Sequence, residues 1–100
     1  MSADTMKNLY DVIEYRKSNP KEDSYTCYLF ERGLDKILGT IGSESSETIV
    51  AAKNGARTAL IYEISDLLYH LTVLMVEQGI ELETIMAELE RRAKTIADLK

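Results

Sequence analysis

Between Leu60 and Val76, 12 of 17 residues are apolar or Tyr, and wound into a helix they cover its whole circumference. A helix apolar on every side predicts a central, buried element with the rest of the chain packed round it. The same segment carries Glu63 and Asp66 three residues apart, with His70 seven beyond Glu63, so all three share one face. Carboxylates on a buried helix are costly unless they are paired or hold a cation. The segment therefore demands two things of the remaining sequence: elements to bury it, and charge to offset its acids.

Helices are what the remainder supplies. Leu, Ala, Glu, Lys and Met are abundant, and no stretch shows sustained period-two alternation. Met6, Leu9, Tyr10, Ile13 and Arg16 recur at helical spacing, with Asp4 placed to cap the start, and Ser18-Asn19-Pro20 ends this first helix. Ser24 or Asp23 can cap a short helical segment through Leu29, closed by Gly33. A helix follows from Leu34 to Lys53, in which Gly39 and Gly42 either weaken the first turns or admit a ligand.

Asn54-Gly55 is the clearest break, and the central helix then runs from about Ala56 to Gln78, where Gly79 stops it. The last helix, Glu81 to about Asp98, places Leu82, Ile85, Met86, Leu89, Ala93 and Ile96 on one stripe. The expected architecture is all-α, a four- to five-helix bundle in one domain over 1–100, with a frayed start at 1–4.

At 100 residues such a chain buries only roughly 60% of its unfolded surface, so a metal or a partner chain is expected to supplement the core. Cys27 is the only cysteine, which rules out an internal disulfide and fits a reducing, cytoplasmic setting; it reads as an inert packed thiol. Twelve basic against 17 acidic residues give a net charge of −5, which argues against binding nucleic acid. The polar start has no signal-peptide core, and Glu63, Asp66 and His70 argue against a membrane span.

The offsetting chemistry for the central acids lies one helix earlier. Glu44 and Glu47 are also three apart, and the break lies seven residues beyond Glu47 and eight before Glu63. Antiparallel packing across that break sets the two acidic pairs at similar heights. Four converging carboxylates repel one another unless a hard divalent cation neutralises them, and oxygen-only ligation suits Mg²⁺ or Mn²⁺ rather than Zn²⁺. The plainer alternative is a solvated face with ion pairs to Lys36, Lys53 or Arg57. His70 reads as a hydrogen-bonded, partly buried residue rather than a ligand. The six Tyr and four Met read as core or interface filling.

Taken in order, the residues resemble the phosphoribosyl-ATP pyrophosphatase family, within the all-α nucleotide pyrophosphohydrolase group. The resemblance runs from Leu9 to Arg92 through Val12-Ile13, Arg16, Ser24-Tyr25-Thr26, Leu29, Gly33 and Asp35-Lys36-Ile37. It continues through Ile41-Gly42, Glu44, Glu47, Ala51-Ala52-Lys53, Glu63, Asp66-Leu67-Leu68-Tyr69-His70, Val73-Leu74 and Glu88-Leu89. The resemblance implies Mg²⁺-dependent hydrolysis of phosphoribosyl-ATP to phosphoribosyl-AMP and pyrophosphate, in histidine biosynthesis. Glu44, Glu47, Glu63 and Asp66 would hold the metal and carry the chemistry, while Lys36, Arg16 and Lys53 would face the phosphates.

The resemblance also implies an intertwined homodimer. The chain departs from the family's usual pattern at Gly39, Thr40 and Ser43, and at Ser45 where Ala is usual. Gly39, Thr40 and Ser43 motivate one alternative, a catalytically weakened helical dimer serving as an interaction module; a second, a related nucleoside-triphosphate pyrophosphohydrolase, is argued against by Ser24-Tyr25-Thr26 and Lys36.

Overall fold

The computed structural model describes residues 2–99, with side chains from Thr5 onward; the frayed start expected at 1–4 falls at residues whose side chains lie outside that set. Five helices follow one another: α1 (Ser2–Ser18), α2 (Tyr25–Arg32), α3 (Leu34–Lys53), α4 (Arg57–Glu77) and α5 (Leu82–Asp98). No strand occurs among the described residues, so the chain is all-α as the pattern predicts.

The helix ends follow local chemistry. The Asn19 amide donates to the Tyr15 carbonyl (2.9 Å) where Pro20 forbids continuation. Ser24 Oγ accepts the Cys27 N–H (3.2 Å) and caps α2, one of the two candidates expected there. Gly33, at φ 94°, turns the chain directly from α2 into α3, a conformation that any Cβ would strain. Gly55, at φ 65°, does the same between α3 and α4. The cap expected at Asp4 rests on a side chain outside the described set; the helix itself begins at Ser2. The glycines at 39 and 42 leave α3 unbroken, with no neighbouring atom within 4 Å of where a Cβ would stand.

The core is small: Tyr10, Ile13, Leu29, Ile37, Val73, Val76 and Leu82, one or two from each helix, with Met6, Leu9, Phe30 and Ile41 packed round them. The Tyr10 hydroxyl donates to the Ile80 carbonyl (2.8 Å), fixing the α4–α5 turn against α1. Of the six Tyr, only Tyr10 is buried, whereas Tyr15, Tyr25 and Tyr62 are exposed, so they are not core filling.

The central helix also departs from expectation. α4 is buried on one side through His70, Thr72, Val73 and Val76, but Ile61, Tyr62, Ile64 and Leu68 face outward. Its length and composition would suffice to cross a membrane. Within the fold, however, its polar side is turned into contacts with α2 and α3. α5 meets the core mainly through Leu82, leaving the rest of its stripe open, with Leu89 51% and Ile96 64% exposed. The physical reason is supply: four further helices in a chain this short cannot surround a 21-residue one. The radius of gyration, 15.3 Å, exceeds the value of about 13 Å for a close-packed domain of this length.

Candidate active site

α3 and α4 pack against each other across the Asn54–Gly55 turn more extensively than any other pair, and this brings the two acidic pairs together. Carboxylate oxygens of Glu44, Glu47 and Glu63 lie within 4.8 Å of one another. Glu44 also forms a second group with Asp66 and His70, again within 4.8 Å. Glu44 is thus shared by both triples, and it is the most enclosed of the four acids at 8% exposure.

Electrostatics follow from that enclosure. Burial, then the hydrogen bond and charge of Asp66, then the charges of Glu63 and Glu47 push the Glu44 carboxyl up to about 7. Burial and the Glu47 charge raise Glu63 as well. Glu44 Oε1 and Glu63 Oε1 are buried without a hydrogen-bond partner. Among the described residues, no Lys or Arg forms an ion pair with any of the four acids, so the plainer alternative of pairing with Lys36, Lys53 or Arg57 is not what the structure shows. The nearest ionisable nitrogen is His70 Nδ1, 3.9 Å from Asp66 Oδ1. Two orphaned carboxylate oxygens on neighbouring helices, in an oxygen-rich set without a cationic side chain, fit a hard divalent cation.

The three basic residues singled out by resemblance do not close on this cluster. Lys36, in the first turns of α3, holds its Nζ 5.8 Å over the Tyr28 ring. Arg16 donates to the Asn19 carbonyl (2.8 Å) and lies over Tyr15. Lys53 ends α3 and is exposed, about 9 Å along the helix axis from Glu47. Arg16 instead borders an open cleft of about 1100 Å³ between α1 and α2, shared with Lys21, Ser24, Tyr25, Cys27 and Phe30. A smaller groove of about 360 Å³ opens beside Glu47 and Glu63, walled by Val50, Ala51 and Ala59.

Two features escape sequence reasoning. The first is the Cys27 thiol, which is half-buried at the cleft rather than packed away. It accepts the Lys21 N–H (3.3 Å) and faces the Arg16 carbonyl. Its hydrogen bond with Ser24 is the main influence drawing its pKa below the ordinary value. The second is a pair of rungs from α2 to α4: Tyr25 to His70 (2.9 Å) and Thr26 to Tyr69. Burial raises the pKa of the Tyr25 hydroxyl, a hydrogen bond with Thr40 opposes that, and the charges of Asp66 and Glu44 add to the rise. The adjacency of Tyr25-Thr26 and of Tyr69-His70 was visible, but nothing local says that the pairs meet 43 to 45 residues apart.

Fold and site together define an all-α chain that gathers four carboxylates between two antiparallel helices. The chain belongs to the phosphoribosyl-ATP pyrophosphohydrolase family, whose model matches residues 6–93. It is 53% identical over 95 residues to the phosphoribosyl-ATP pyrophosphatase of Limosilactobacillus fermentum, covering 95% of this chain and 90% of that one. It is 56% identical over 93 residues to the phosphoribosyl-ATP pyrophosphatase of Clostridium botulinum strain Hall, covering 93% and 84%. A histidine biosynthesis bifunctional protein of Thermoanaerobacter pseudethanolicus is 56% identical over 87 residues, which are 87% of this chain and 40% of that longer one.

Proposed function

We propose that this chain hydrolyses the α–β phosphoanhydride of phosphoribosyl-ATP, giving phosphoribosyl-AMP and pyrophosphate, a step of histidine biosynthesis. Membership of the family supports the substrate. The observation that carries the chemistry is the convergence of four acids that lack cationic partners, with Glu44 Oε1 and Glu63 Oε1 buried and unbonded. In this reading Glu44, Glu47, Glu63 and Asp66 hold Mg²⁺, with Mn²⁺ as a substitute of the same oxygen preference. A cation bound there offsets the charge of the phosphate oxygens and lowers the pKa of nearby water.

The remaining work falls to the chain itself. A carboxylate oxygen not engaged by the cation accepts a hydrogen bond from the attacking water, aligns it with the leaving pyrophosphate, and takes its proton. Glu47 is the exposed member of the four and so has room for that role. Lys36, Arg16 and Lys53 supply positive charge to a substrate that spans the surface between the cleft and the acids. Tyr25 and Tyr28 line that cleft, with ring centroids 6.1 Å apart.

The same reading includes a homodimer, one domain per protomer, in a soluble cytoplasmic protein that engages neither nucleic acid nor membrane. The outward Ile61, Tyr62, Ile64 and Leu68 of α4 and the open stripe of α5 support self-association.

One assay tests the chemistry: pyrophosphate release from phosphoribosyl-ATP with Mg²⁺, beside an Asp66→Asn variant and a panel of ordinary nucleoside triphosphates. Release well above the Asp66→Asn level, and fastest with phosphoribosyl-ATP, is expected. Release no faster than that of the variant sinks the enzymatic reading and leaves the interaction module.

A further inference from the structure

His70 lies one turn beyond Asp66 on α4, is 2% exposed, and uses both ring nitrogens. Nδ1 stands 2.9 Å from the Asp66 carbonyl oxygen, and Nε2 stands 2.9 Å from the Tyr25 hydroxyl. A carbonyl can only accept, so the ring hydrogen sits on Nδ1. A neutral imidazole with Nδ1–H presents a lone pair at Nε2, and the Tyr25 O–H is there to donate to it. Tyr25 is itself held: its ring meets His70 edge-on at 5.7 Å and Tyr69 at 6.2 Å, and its neighbour Thr26 bonds the Tyr69 hydroxyl.

The consequence concerns the metal. His70 lies within 4.8 Å of Glu44 and Asp66 oxygens, close enough to join them as a nitrogen ligand. Imidazole favours Zn²⁺ and other borderline metals, whereas carboxylate oxygens alone favour Mg²⁺ and Mn²⁺. A nitrogen that carries hydrogen, or whose lone pair is already taken, cannot ligate. We infer that Tyr25 is a positioning residue for metal selectivity: the Asp66 carbonyl fixes the hydrogen on Nδ1, and the Tyr25 O–H occupies Nε2, the one ring nitrogen left with a lone pair, which keeps the imidazole out of the ligand set and the site oxygen-only. This inference rests on the reading of Glu44, Glu47, Glu63 and Asp66 as ligands. Its role differs from theirs, since Tyr25 touches no cation.

Two measurements test it. The first uses the metal-free wild-type protein at pH 8, where long-range ¹H–¹⁵N correlation spectra distinguish the two ring tautomers. Nδ1–H is expected for His70, and hydrogen on Nε2 overturns the inference whatever the enzyme does.

The second compares Mg²⁺ and Zn²⁺ affinities of wild type, Tyr25→Phe and His70→Asn by calorimetry. Freed of its hydroxyl partner, Nε2 can offer its lone pair to a cation held by Glu44 and Asp66, while Nδ1–H stays on the Asp66 carbonyl. Tyr25→Phe should therefore raise Zn²⁺ affinity relative to Mg²⁺ by about 10-fold, the size of effect that removing an outer-shell partner has on a metal site. The double variant Tyr25→Phe/His70→Asn should return to the wild-type ratio. Equal weakening of both metals in Tyr25→Phe would mean that Tyr25 merely props α2 against α4, and would overturn the selectivity role. Wild type that binds no Mg²⁺ while His70 still shows Nδ1–H would refute the metal site, and with it the inference, but not the tautomer.

Discussion

Two sides of α4 are enclosed in opposite ways. Toward α1 and α2, its polar groups are fully partnered: both His70 nitrogens are bonded, and Thr72 Oγ1 donates to the Leu68 carbonyl at 2.7 Å. Toward α3, the Oε1 atoms of Glu63 and Glu44 are equally hidden from water and accept no hydrogen bond. Burial of a polar group stabilises a fold only when the group is satisfied, and otherwise it costs free energy that something else must offset. The first side holds the helices in place. The second carries a deficit that the proposed cation would relieve, which separates the scaffold from the site within one helix.

The sharpest way to break this contrast is Glu44→Gln. The amide removes a buried charge and can donate to Asp66 or Glu63, so the metal-free variant should melt above wild type. The same change should reduce pyrophosphate release by more than about 100-fold, beyond the range for outer-shell partners. A variant that is both less stable and fully active would abolish the distinction between the two sides. The next largest effect is on wild type itself. Mg²⁺ at about 100 times its dissociation constant should stabilise the folded state by about 2.7 kcal/mol, raising the melting midpoint by roughly 10–20 °C in a domain of this size. Chelation should remove the whole of that increase, read by differential scanning fluorimetry.

The pH response sharpens the comparison further. Burial and neighbouring acids hold the Glu44 carboxyl at about 7, above its ordinary 4.5. Between those values the unfolded chain releases its proton before the folded one does. Metal-free stability should therefore fall as pH rises from about 4.5 to about 7 and level off above that. Denaturant midpoints of wild type should show this decline, and those of Glu44→Gln should not. The smallest effect lies on the satisfied side. Ser24→Ala removes the cap of α2 and should cost about 1 kcal/mol, with the Mg²⁺-induced rise in melting midpoint retained.

Much of this was legible in the linear order. Pro20, Gly33, Asn54-Gly55 and Gly79 end or join helices for reasons that act within a few residues, and the structure breaks where they stand. The acidic pairs were legible too, because helical spacing and the distance to one turn fix their heights. The tether of Tyr25 to His70 was not, since it spans 45 residues and depends on how α2 lies on α4. Nor was the exposure of Ile61 and Tyr62, because an all-apolar circumference states a demand for cover without saying which side the protomer can supply. The placing of Arg16 at a separate cleft likewise follows from the α1–α2 turn rather than from its helical register.

By itself, then, the sequence determined five helices and four acids arranged to meet, because both outcomes follow from local backbone preferences and the fixed rise of a helix. Only the tertiary structure decided that Glu44 is enclosed while Glu47 remains open. It also decided which groups bond His70, expected from the sequence to be hydrogen-bonded: the Tyr25 hydroxyl and the Asp66 carbonyl. Burial and partnership are properties of what a second and third element bring alongside, and no single stretch of chain contains them.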